Sequence, residues 1–183
     1  MKITMTLVAA TALALTAFGS AQAEEVKRLG LAVTNLQADY FNQIKIGVET
    51  YAKELGIEVI TVDAKNDGAT QVSQVQDLLT QDIDALIYLP AGAAAATVPA
   101  RLAKQQGIPV VNVDRNAEGE PGDTFIATDN AASAYDVCKH IIGLAGGKGK
   151  MIMIHGQKGT TPEVERTKGC MKAIEENPGV ELV

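Results

Sequence analysis

The sequence predicts an α/β protein: a parallel sheet with helices on both faces, organised as one full lobe plus the start of a second. Three observations carry that expectation. Short runs rich in β-branched residues alternate with helix-length amphipathic stretches through the chain beyond residue 23. The runs are almost continuously apolar, as strands covered on both faces must be. Strands joined through helices require right-handed crossovers, which generate a parallel sheet.

The first residues read as an address. Lys2 supplies a positive start, Leu7 to Phe18 an apolar run, and Ala21-Gln22-Ala23 the small-x-small pattern of a cleavage site. Cleavage is expected after Ala23. The apolar run is too short for a membrane span, and no cysteine near the cut suggests a lipid anchor. The rest is expected to be a freely diffusing exported protein, placed in the periplasm of a two-membrane bacterium.

The elements then follow in order. Arg28–Thr34 reads as a buried strand, and Tyr40–Leu55 as a helix with Ile44, Val48, Tyr51 and Leu55 on one face, stopped by Gly56. Ile57–Asp63 is the second strand. Ala69–Gln81 is a helix packing Val72, Val75, Leu78 and Leu79. Ala85–Leu89 is a strand closed by Pro90, and Ala94–Gln106 a helix with Pro99 in its first turn or at a kink. Pro109–Val113 runs into Asp114-Arg115. A Gly-rich, acidic loop leads to a short strand, Thr124–Thr128, and Asp129-Asn130 caps a helix ending at Leu144. Met151–His155 reads as strand, Thr161–Glu175 as helix and Val180–Val183 as strand.

Residues 24–128 are long enough to form one lobe, while 129–183 supply only the beginning of another. A chain stopping on a buried parallel strand leaves an open edge, so a fragment or truncated product is expected. Ligands of such sheets bind outside the carboxyl ends of the strands. The loops after Thr34, Leu89, Val113 and His155 are therefore where a site is expected.

Charge excludes some functions. The chain carries a formal net charge of −6, and losing Lys2 makes it more negative. Binding to nucleic acid or to an anionic membrane needs clustered Lys and Arg, which are missing here. Tryptophan is absent and other aromatics are few, so each aromatic outside a core pattern is informative.

Several segments resemble ribose-type periplasmic sugar-binding proteins, the type I periplasmic binding protein family. They are GLAVTNLQADYFNQIKIGVETYAKELG (30–56), VDAKND (62–67), QVQDLLTQDIDALIYLPAG (74–92), GIPVVNVDR (107–115), ATDN (127–130) and R-x-x-G at Arg166–Gly169. The resemblance covers essentially the whole exported chain, in the family's order. It implies two α/β lobes that close on a hinge over a sugar or polyol and deliver it to the membrane subunits of an ABC importer. It implies no cofactor, no metal and no catalysis, and a monomer.

The resemblance also names site residues. Asp114 and Arg115 would bracket adjacent hydroxyls, one accepting and one donating. Tyr40 and Phe41 would cover the apolar face of the sugar, and Thr34 would offer a hydroxyl. Arg166 would reach in from the second lobe, and Asp129 would lie at the hinge. Burying a sugar makes such pairing necessary, since each unpaired hydroxyl costs about 1–3 kcal/mol. The plain alternatives are an ion pair capping the sheet for Asp114-Arg115, core packing for Tyr40 and Phe41, and a solvated helix charge for Arg166. Ala38 and Asp39 depart from the ribose binders, which carry an amide and a proline there. Another pentose, a hexose or a sugar alcohol is therefore as plausible as ribose.

Other signals weigh less. Cys138 and Cys170 lie on different expected helices; export favours a disulfide, two buried thiols are the alternative, and spacing does not decide between them. His140 reads as helix surface and His155 as a strand end, with no partner at metal-ligand spacing. GGKGK (146–150) is no P-loop, because no Lys-Ser or Lys-Thr closes it. Neither G-x-G-x-x-G nor G-x-S-x-G occurs. Rival readings are a sugar sensor presenting its ligand to a chemoreceptor or histidine kinase, a LacI-like effector domain without its DNA-binding headpiece, and an exported enzyme.

Overall fold

The computed structural model describes residues 25–92, 96–117 and 119–183. The leader expected over residues 1–23 lies outside them.

Five strands form a parallel sheet: β1 (Arg28–Val33), β2 (Glu58–Asp63), β3 (Ala85–Tyr88), β4 (Val110–Val113) and β5 (Thr124–Ile126), in the order β2-β1-β3-β4-β5. Three helices alternate with them: α1 (Asp39–Glu54), α2 (Gly68–Leu79) and α3 (Thr97–Gln105). Because β1 lies between β2 and β3, the chain reverses its direction of travel across the sheet after β2. That reversal opens a crevice at the strands' carboxyl ends.

Alternation along the strands assigns the two faces. Leu31, Val33, Leu89 and Val113 pack with Phe41, Ile44 and Val48 of α1. Ala32, Leu86, Tyr88 and Val110 pack with Val75, Leu78 and Leu79 of α2 and with Ala100 and Ala103 of α3. Pro99 sits in the first turn of α3, where its missing N–H has no helical partner to lose. The buried stripe of α1 runs through Phe41, Ile44, Val48 and Ala52. Tyr51 and Leu55, expected on that face, are exposed: at 3.6 residues per turn the stripe drifts, and small Ala52 takes the inward position.

A second unit follows: α4 (Asn130–Leu144), β6 (Gly149–Met151), α5 (Thr161–Glu175) and β7 (Val180–Leu182). β6 and β7 pair in parallel. The strand expected over Met151–His155 is corrected by the structure, since pairing covers Gly149 to Met151 and residues 152–155 run on without a ladder. α4 and α5 pack closely; a Cβ on Gly169 would run into the carbonyl oxygen of Ala131, so only glycine fits there. Cys138 and Cys170 are joined in a disulfide across these helices, with Cα atoms 5.3 Å apart, inside a small core containing Ile142, Ala173 and Ile174.

Among the described residues, no helix is long and apolar enough to cross a membrane, and no cluster of His, Cys, Asp and Glu is placed to hold a metal.

Candidate functional site

A cavity of about 620 Å³ opens between the two units. Three stretches at strand ends build its walls. The turn after β1 leads into α1 and brings Tyr40 and Phe41. The end of β4 brings Asp114 and Arg115. The unpaired run after β6, with the facing side of α5, brings His155, Gln157, Glu163, Arg166 and Thr167.

Asp114 is in the left-handed region, with φ of 64°, a conformation that aspartate tolerates better than most residues. Its N–H bonds Ile126 O at 2.9 Å, which anchors the turn to β5. Asp114 and Arg115 thus both turn toward the cavity at the moment the strand ends.

Arg115 is the most enclosed charge of the site, its side chain only 13% exposed. Its guanidinium lies over the Phe41 ring at 5.4 Å, within cation–π range. One terminal N–H group donates to Pro90 O at 3.2 Å and to Gln157 Oε1 at 3.0 Å. Nε stands 3.5 Å from Asp114 Oδ2, an ion pair without hydrogen-bond geometry, so this buried N–H lacks an acceptor. Desolvation lowers the pKa of Arg115 and Asp114 opposes the shift; an arginine stays charged regardless.

Tyr40 and Phe41 meet edge to face, 5.3 Å between centroids. The Tyr40 hydroxyl donates to Asp114 Oδ1 at 3.3 Å. Partial desolvation first, then the Asp114 carboxylate, push this phenol up, while Arg166 across the cavity opposes. From the second unit, Arg166 Nε donates to Asn130 Oδ1 at 2.7 Å, and its two terminal nitrogens have no hydrogen-bond partner among the described residues. Two carboxylates, Asp114 and Glu163, thus face two guanidiniums.

Five of the expected site residues, Tyr40, Phe41, Asp114, Arg115 and Arg166, come together around the cavity. Thr34 does not, and its assignment as a ligand contact is corrected. It is fully buried, and its hydroxyl is taken by Leu89 O at 2.9 Å and Pro90 O at 3.1 Å, sewing the end of β1 to the turn after β3. Asp129 caps α4 by accepting from Ala132 N at 2.9 Å, where the chain passes from the sheet into the second unit.

Sequence reasoning missed Gln157, His155, Glu163 and Thr167. Gln157 crosses between the units: besides accepting from Arg115, its Nε2 donates to Ala91 O at 3.0 Å. The available signal was position, since 155–157 follow a strand's carboxyl end.

Residues 29–183 match the family described as periplasmic binding protein domain. The chain belongs to that family. Its members are binding proteins. The chain is 36% identical over 141 residues to the ribose import binding protein of Bacillus subtilis, covering 77% of this chain and 46% of that protein. Among solved structures, the fructose-binding periplasmic domain of a hybrid two-component system superimposes with a TM-score of 0.81 at 28% identity, covering 86% of this chain and 52% of that one. An ABC transporter solute-binding protein from Mycobacterium smegmatis gives the same score and identity, covering 87% and 55%. The chain spans about half the length of the curated relatives it matches. Its five-stranded parallel sheet with helices on both faces is the type I periplasmic binding protein lobe.

Proposed function

We propose that this protein binds an uncharged sugar or polyol in the cavity between its lobes and delivers it to the membrane subunits of an ABC importer. One observation carries the reading: Arg115 is enclosed at the cavity wall against the Phe41 face and beside Asp114, and its second terminal nitrogen has no hydrogen-bond partner among the described residues. A donor left unpaired when a ligand closes the cavity costs about 1–3 kcal/mol, and a ligand hydroxyl supplies the acceptor. Asp114 accepts from the neighbouring hydroxyl, and the aromatic pair covers C–H groups. Two carboxylates balance two guanidiniums, which suits a neutral ligand better than a sugar acid or an amine.

In this reading residues 24–128 are the first lobe, 129–183 belong to the second, and Asp129 lies at the hinge. Contacts from both lobes favour the closed form, which the importer recognises. Export with cleavage after Ala23, a periplasmic location, a monomeric state and the lack of catalysis, cofactor and nucleic-acid partner belong to the same proposal. A second reading is a sensor that passes the bound state to a chemoreceptor or kinase; the similarity to a periplasmic domain of a two-component system favours it.

The test is calorimetric titration of the protein with ribose, fructose and xylitol, beside Arg115→Ala. Saturable binding that weakens at least about a hundredfold in the variant supports the reading, since two charge-assisted bonds contribute about 1.5–3 kcal/mol each. Unchanged affinity in a folded variant rejects it. Deleting the gene and measuring growth on the bound sugar separates transport from sensing.

A further inference from the structure

The second-lobe wall carries a side-chain cluster that the contacts above leave unused. His155 Nδ1 lies 2.8 Å from Glu163 Oε1 and 3.2 Å from Thr167 Oγ1. The Thr167 hydroxyl donates to the same Oε1 at 3.2 Å, and Gly159 N donates to Oε2 at 3.1 Å. All three side chains line the cavity. An ionised carboxylate only accepts, so the proton on that edge of the ring sits on Nδ1. In the neutral ring Nε2 is then an acceptor, and it has no partner among the described residues. The side chain is 36% exposed, enough for a ligand to reach it.

We infer that His155, oriented by Glu163 and Thr167, is a specificity-determining contact whose Nε2 accepts a hydrogen bond from a ligand hydroxyl. The inference rests on the cavity's reading as a sugar or polyol site. Arg115 and Arg166 can only donate, and Asp114 accepts from the first lobe. His155 gives the second lobe an acceptor as well. The ligand must therefore turn a hydroxyl hydrogen toward the second lobe, and an analogue deoxygenated or O-methylated at that carbon loses the bond.

The bond from His155 first, and the Gly159 amide next, hold the Glu163 carboxyl below the usual carboxylate range, so Glu163 stays an acceptor and keeps the ring proton on Nδ1.

The test uses the protein produced from its own gene. Ribose, fructose and xylitol are titrated calorimetrically at about pH 8, where imidazole is neutral, into the native protein, His155→Ala and His155→Gln, with folding checked by circular dichroism. The inference expects His155→Ala to bind roughly three- to tenfold more weakly and His155→Gln, which keeps an acceptor, to recover part of that loss. The Nε2 resonance of His155, identified by its absence from the His155→Gln spectrum, should move on ligand addition. If a sugar binds, and Arg115→Ala abolishes that binding, while His155→Ala retains full affinity and the Nε2 resonance stays in place, this inference fails and the cavity reading stands. If none of the three probes binds, both fail together.

Discussion

Breaking the Cys138–Cys170 bond should destabilise the second unit more than any other single covalent change. The two cysteines are 32 residues apart in sequence, and closing a loop of that size removes chain entropy worth about 4 kcal/mol at 25 °C. Among the described residues the core of this unit is Cys138, Ile142, Cys170, Ala173 and Ile174, with Tyr135, Met151, Met153, Met171 and Val180 partly buried against it, beside a ladder of two three-residue strands. The assay is urea unfolding followed by circular dichroism, comparing the native protein with a Cys138→Ala, Cys170→Ala double variant. Alanine avoids burying a hydroxyl in place of sulfur. The expected loss is about 2–4 kcal/mol, in the transition that melts α4 and α5. Both cysteines line the cavity, so ligand affinity should fall with it. A loss below about 1 kcal/mol would refute the reasoning, because the two helices would then be holding one another without the crosslink.

Three further outcomes follow from packing and charge. Gly169→Ala sets a methyl against the Ala131 carbonyl and should cost about 1–3 kcal/mol by forcing α4 and α5 apart, read as a lowered Tm. Gln71 is buried, donating to Leu89 O at 2.9 Å and accepting from Ala91 N at 2.7 Å; Gln71→Leu strands the Ala91 amide, while Leu89 O keeps the Thr34 hydroxyl, and urea unfolding should show a loss of about 1–3 kcal/mol. Asp84 accepts from the amides of Lys27 at 2.6 Å and Arg28 at 2.8 Å, which hold its carboxyl below the usual range. A depressed carboxyl stabilises the fold above its unfolded pKa and loses that contribution as pH falls through the folded one. Asp84→Asn should therefore flatten the acid side of the Tm profile, leaving Tm independent of that titration below about pH 4.

Much of the fold was legible because a parallel sheet writes itself into the sequence twice, as apolar runs and as the helices between them. α4 and α5 match the expected Asp129-capped helix and the helix over Thr161–Glu175. What failed was whatever depended on neighbours in space. Tyr51 and Leu55 fit a helical stripe on paper, but the sheet beneath α1 meets Ala52 instead. Ile152 and Ile154 have strand chemistry, yet pairing stops at Met151 and both stay exposed. Of the cavity wall, Tyr40, Phe41, Asp114, Arg115 and Arg166 are legible through their motifs. Thr34 is not, because a threonine at a strand end looks the same whether it faces a ligand or a neighbouring carbonyl. His155 reads as a strand end because Glu163 and Thr167, which it meets, lie on the next helix and carry no metal-like spacing.

The most direct test of the central claim is isothermal titration of the protein produced from its own gene with ribose, fructose and xylitol at neutral pH. The account predicts that at least one binds saturably at a single site, and that Arg115→Ala, with its fold intact, removes the heat. No heat from any of the three, or binding indifferent to Arg115, would contradict it.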